Sequence, residues 1–135
     1  MHASLIRMES DNHFDARDLR NALGTFATGV TVITAHDPEN RPIGMTVNSF
    51  SAISLRPALV LWCLSKQSPG AAGFRAAKRF AINVLALEQL PLSRQFARSG
   101  VDKFAGVDLR ISASGVPQLA GCVAWFECDT DAQHE

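Results

Sequence analysis

The links between this chain's strand-like segments are short, and nothing else in the sequence limits the fold so strongly. Val30-Thr31-Val32-Ile33-Thr34-Ala35 is β-branched and extended in character, and Asp37-Pro38-Glu39-Asn40 supplies the turn before the next run, Ile43 to Phe50. Ser51 to Leu55 alternates Ala52 and Ser54 against Ile53 and Leu55, and Pro57 breaks the rhythm before Leu59 to Leu64. A parallel pair needs a crossover of about a dozen residues or more, usually a helix. The connections at 36–42 and 56–58 cannot hold one, so the sheet is expected to be antiparallel.

The remaining segments fit that plan. Leu19, Leu23 and Phe26 share a face flanked by Ala16 and Ala22, predicting a short amphipathic helix capped by Asp15 and ended by Gly29. The near-continuous apolarity of Leu59 to Leu64 predicts cover on both faces. Ser68 to Lys78 predicts a helix with Ser68 as cap and Pro69 at its first position. Phe80 to Leu85 is a strand, Glu88 to Arg98 a second short helix, Val101 to Gly106 a loop, and Val107 to Ile111 alternates. Ser112 to Gly121 is turn-rich, and Cys122 to Cys128 is the last strand. A closed or nearly closed antiparallel barrel with helices packed outside follows.

At 135 residues the chain holds one domain, residues 15–135, behind an aperiodic polar arm at 1–14 that is expected to be mobile. Thirteen basic residues balance thirteen acidic ones, without the basic stripe that nucleic-acid binding requires. The longest apolar run, Ala58 to Leu64, falls short of the ~20 residues that span a bilayer, and the N-terminus lacks the apolar stretch of a signal peptide. No membrane span is expected, and the location follows as cytoplasmic. Cys63, Cys122 and Cys128 lack a CxxC and read as reduced core thiols; His2, His13, His36 and His134 are scattered, so no metal site is expected. Motifs for a P-loop, a Rossmann site or a nucleophile elbow are missing, and no side chain is singled out as catalytic.

The chemistry concentrates in two adjoining segments. Gly44-Met45-Thr46-Val47-Asn48-Ser49-Phe50 sets small neutral hydrogen-bonding groups among apolar residues, with Gly44 letting the backbone come close. Thr46, Asn48 and Ser49 suit a flat ring with an apolar end and a polar edge, such as an isoalloxazine. They also suit the exposed face of an antiparallel strand, and both readings stand. Ser65, Lys66 and Ser68 before Pro69-Gly70 fit a phosphate seat or an ordinary capped helix. Asp102-Lys103-Phe104-Ala105-Gly106 offers a cation and an aromatic edge to a ligand, or is a solvated loop anchored by Phe104.

Taken in order, these segments resemble the short-chain flavin reductases, whose FMN-binding split-barrel members supply reduced flavin to two-component monooxygenases. The resemblance runs from about Leu19 to the end. It is carried by Phe26-Ala27-Thr28-Gly29-Val30-Thr31-Val32-Ile33-Thr34, Gly44 to Phe50, and Ser54-Leu55-Arg56-Pro57 leading into Leu64-Ser65. Phe80-Ala81-Ile82-Asn83-Val84-Leu85, Phe96-Ala97, Asp102 to Gly106 and Pro117-Gln118-Leu119-Ala120-Gly121 continue it.

The resemblance implies a mainly β, antiparallel split β-barrel with short flanking α-helices. It also implies a homodimer that binds FMN or FAD near the subunit interface and takes NADH or NADPH as a diffusing co-substrate. Thr46, Val47, Asn48 and Ser49 map onto the family's ring-binding segment, Cys63, Leu64, Ser65 and Ser68 onto its strand end and phosphate loop, and Lys103 with Phe104 onto a later cofactor-contacting loop. Hydride would pass from nicotinamide to flavin N5 without a side-chain nucleophile. Family members continue with a Gly-Asp-His stretch and closing strands where this chain reads His134-Glu135, so it is expected to lack its C-terminal strands. That leaves two further readings, a flavin-binding module without reductase activity and a domain recruiting a partner through an open sheet edge; a pyridoxamine-phosphate oxidase-like barrel, which shares the architecture but should carry more basic residues around its cofactor, is a third.

Overall fold

The computed structural model describes residues 15–134; the polar arm expected at 1–14 lies outside them. Helix α1 (Ala16–Gly24) opens the chain, with the Asp15 carboxylate accepting the Arg17 amide at 2.7 Å as the expected N-cap. It ends at Gly24 rather than Gly29: the Thr25 amide closes onto Ala22 O, and the chain then leaves the helix.

Strands β1 (Thr31–His36), β2 (Pro42–Val47), β5 (Arg79–Val84) and β8 (Ala124–Asp129) form one antiparallel sheet in the order β2-β1-β5-β8. Strands β3 (Ser51–Leu55) and β4 (Ala58–Leu61) make a hairpin with an irregularity between Ala52 and Ser54. Strands β6 (Leu109–Ile111) and β7 (Pro117–Leu119) make another. All pairings are antiparallel, as the short links require, and the ladders form three sheets rather than one closed ring among the described residues. Helices α2 (Ala71–Ala76) and α3 (Leu90–Ala97), the latter led in by a 3-10 turn at Leu87–Gln89, complete the order.

The register divides the main sheet into two faces. Ile33, Met45 and Ile82 stand opposite one another on the first, where Ile33, Ala35, Val47, Phe74, Ala77 and Ile82 form a buried cluster. Trp62 meets Phe74 and Phe80 edge-on there, at centroid distances of 5.5 and 5.7 Å. On the second face Val32 joins Phe96, Leu119 and Cys122, with Phe104 and Trp125 packed around them. No helix among the described residues is long and apolar enough to cross a membrane.

Four further expectations change. β4 stops at Leu61, which is 48% exposed: among the described residues its hairpin pairs with no third strand, and one side stays open. Cys63 is exposed rather than a core thiol, lying just past the end of β4, whereas Cys122 is buried and Cys128 partly so. α2 begins at Ala71, with Gly70 as its cap at φ 85° and no side-chain cap from Ser68. Residues 117–119, inside the segment read as turns, form the fully buried strand β7. The apolar face of α1 is also left uncovered, Phe26 just beyond it being 80% exposed.

Candidate functional site

A cleft of about 430 Å³ opens at the Val47 end of the main sheet, between β2, the end of β4 and α3. Val30, Thr46, Val47, Asn48, Ser49, Cys63 and Ser93 line it, and no charged side chain does. Five of the ten residues singled out from sequence therefore meet in one place: Thr46, Val47, Asn48, Ser49 and Cys63. The volume falls in the range of roughly 300–1,000 Å³ typical of small-molecule sites.

Their side chains do different work. Thr46 donates its hydroxyl to Ser93 O at 2.6 Å, holding α3 against β2. The Ser49 hydroxyl accepts the Cys63 amide at 2.9 Å and donates to Cys63 O at 3.4 Å, so it ties the end of β2 to the end of β4. Val47 turns into the first core cluster. Asn48 is exposed, and among the described residues its amide is the polar group of this segment without a protein partner. Such a site offers a free carboxamide and backbone groups along an apolar wall, which suits a flat ligand of mixed polarity.

The other five lie off the cleft wall. Leu64 is half-buried against the first cluster. Ser65 and Ser68 belong to the turn before α2, with the Ser65 hydroxyl accepting the Gln67 amide at 3.3 Å and Ser65 O accepting the Ser68 amide at 3.0 Å. Lys103 and Phe104 face the interior behind β2. The Lys103 ammonium donates to Gly44 O at 3.1 Å and Phe96 O at 3.0 Å, and burial pulls its pKa below the usual lysine range. The Phe104 ring meets Phe96 edge-on at 5.0 Å.

Gly44 also serves this seam: a Cβ there would meet the Phe96 ring at 2.5 Å. Val30 and Ser93 are cleft residues that sequence reading did not find. Ser93 sits on a helix far from Thr46 in sequence, and a lone serine there carries no local signal.

Residues 23–135 match the family model described as Flavin reductase like domain. The FMN reductase (NADH) SmoA of Agrobacterium fabrum is 47% identical, the match covering 96% of this chain and 76% of SmoA. The stachydrine N-demethylase reductase subunit Stc3 of Rhizobium meliloti is 49% identical over 85% of this chain and 50% of its own length. Another Rhizobium meliloti relative, 51% identical, is spanned over 37% of its length, so the chain covers between about a third and a half of these two proteins. Among solved structures, the NADH:FAD oxidoreductase SgcE6 of Streptomyces globisporus C-1027, in complex with NAD and FAD fragments, superposes with a TM-score of 0.81. It is 39% identical, over 92% of this chain and 76% of that one.

Proposed function

The chain belongs to the flavin reductase-like domain family, and on that footing we propose that it is an NAD(P)H-dependent flavin reductase supplying reduced FMN or FAD to a partner monooxygenase. The observation that carries the reading is the uncharged cleft formed by Thr46, Val47, Asn48, Ser49 and Cys63 in a chain so similar to SmoA and SgcE6. The residues present fit a flavin: the ring needs an apolar wall and neutral donors, and these side chains supply both without a charge to desolvate. We assign the ring to Thr46–Ser49 with Cys63, and the phosphate end to the turn through Leu64, Ser65 and Ser68.

Bound flavin would supply the hydride-accepting chemistry. The chain's part is to hold and align. Asn48 would give the ring edge its hydrogen bond. Ser49 fixes the spacing between the ends of β2 and β4, and the Thr46 link to Ser93 keeps α3 as the opposite wall. The nicotinamide would approach over the open side as a diffusing reactant.

A homodimer belongs to the proposal, because the uncovered faces of α1 and the β3–β4 hairpin need partners. Phe26 and Leu55, 80% and 88% exposed, are their largest exposed apolar groups. A cytoplasmic setting belongs to it as well, since that is where nicotinamide cofactors turn over.

With FMN or FAD and NADH or NADPH, the protein is expected to oxidise the nicotinamide faster than flavin alone, followed at its absorbance band. Flavin retention without any such rate would leave a binding module; neither retention nor rate would remove the proposal. Asn48→Ala should weaken flavin binding by about tenfold with an unchanged melting temperature, read from quenching of flavin fluorescence. Ser49→Ala should instead lower the melting temperature, because the Cys63 amide loses its acceptor.

A further inference from the structure

The resemblance gives Lys103 a cofactor contact, but its surroundings argue for another role. It sits in the loop after α3, and that loop is fastened to the helix by Gln95, whose amide donates to Lys103 O and Ala105 O, each at 2.9 Å. The ammonium reaches across to Gly44 O on β2 while also taking Phe96 O in the last turn of α3. A cation is favoured at such a helix end, where carbonyls lack intrahelical partners. No carboxylate is paired with it among the described residues, so burial sets its lowered pKa.

Two rungs therefore join α3 to β2. One is Gly44–Lys103–Phe96 and the other is Thr46–Ser93. On β2 they are two residues, about 7 Å, apart, and on α3 three residues, about 4.5 Å. Only the second reaches the cleft, since Thr46 and Ser93 line it and Lys103 does not. Around the first rung the Phe96 ring presses on Gly44 and is braced edge-on by Phe104. With the first rung lost, Thr46–Ser93 would be the one hydrogen bond left of the two, beside the apolar packing of Leu92 and Phe96, to fix two walls that sit against a binding space.

We propose that Lys103 is a positioning residue for the cleft: it clamps α3 to β2 from behind, sets where Thr46 and Ser93 stand, and does not touch the flavin. The inference rests on the flavin reading of the cleft, and it separates cleanly from a direct contact. A lysine that holds the phosphate matters for FMN and not for riboflavin, which lacks one. A lysine that shapes the ring's wall matters equally for both.

The test measures FMN and riboflavin dissociation constants, by fluorescence quenching, for the wild-type protein and for Lys103→Met, which keeps the length of the stem. The expected result is a loss of about tenfold for both flavins, with their ratio preserved. A loss confined to FMN, or a lowered melting temperature with both affinities intact, overturns the proposal. Hydrogen exchange without flavin forms the second arm. Amides of residues 44–49 and of α3 should exchange faster in Lys103→Met while those of β1 and β5 stay protected, and unchanged exchange counts against the clamp. Should the wild type bind neither flavin, the functional reading falls, and the exchange arm still decides whether Lys103 holds the seam. Lys103→Gln, which keeps an amide donor, serves for both arms if the methionine variant does not fold.

Discussion

Gly44→Ala is expected to destabilise the protein by about 3 kcal/mol, lowering its melting temperature on the order of 10 °C, as read by thermal and denaturant unfolding. A single methyl group has this effect because of what stands opposite it. The added Cβ would lie 2.5 and 2.6 Å from two carbons of the Phe96 ring and 3.1 Å from Phe104. Phe96 is fully buried and cannot swing aside, since Phe104 meets its ring edge-on at 5.0 Å. Relief requires α3 to back away from β2. That movement would stretch the Lys103 bonds to Gly44 O and Phe96 O, and the Thr46–Ser93 bond at the cleft wall with them. Flavin affinity should therefore fall together with stability. A Gly44→Ala protein with wild-type stability would show that the seam has slack the geometry does not suggest.

Gly44 also marks how far the sequence could be read. A glycine inside a strand signals that something comes close, and a ligand was the natural candidate. The partner is a phenylalanine 52 residues onward in the chain, and local pattern carries no record of it. Features set by neighbours in sequence were legible: the Asp15 cap, the β-branched strand β1, the turn at Asp37, and the antiparallel plan imposed by short links. The segment Thr46 to Ser49 was legible as neutral hydrogen-bonding groups among apolar residues, Cys63 came in only through the family resemblance, and the fold brings them together at one cleft. Features set by distant contacts were not. β7 is three residues long, below any useful period, and is held by side chains from β5 and β1. Lys103 reads as a loop cation, offered to a ligand or left in solvent, until its carbonyl on β2, 59 residues away, is in view.

Asn83→Leu is expected to cost about 3 kcal/mol, although leucine has the same branched heavy-atom skeleton as asparagine and is more apolar. Asn83 is fully buried in the middle of β5. Its amide donates to Val32 O at 2.8 Å and to the Thr34 hydroxyl at 2.9 Å, and its carbonyl accepts the Leu119 amide at 2.8 Å. The Thr34 hydroxyl in turn donates a hydrogen bond to Pro117 O, so one network joins β1, β5 and β7. Leucine removes one partner from each bond and leaves the Leu119 amide bare in a dry interior, which costs more than the added apolar surface returns.

Thr34→Val should cost less, about 1 to 2 kcal/mol, because Asn83 keeps its bonds to Val32 and Leu119. The two changes should fall short of additivity, since each destroys the bond they share. Additive losses, measured by urea unfolding of the four proteins, would mean that the network is not a unit. The position of Asn83 explains why polarity is kept there. It faces Val32 on β1, the strand whose other edge sets Thr31 against Val47 and Val32 against Thr46. A slip of one residue in β5 would turn Asn83 into the apolar cluster of Ile33 and Phe74, where nothing accepts its bonds. The same asparagine that holds β7 therefore penalises every wrong pairing of β5 with the strand that β2 and the cleft depend on.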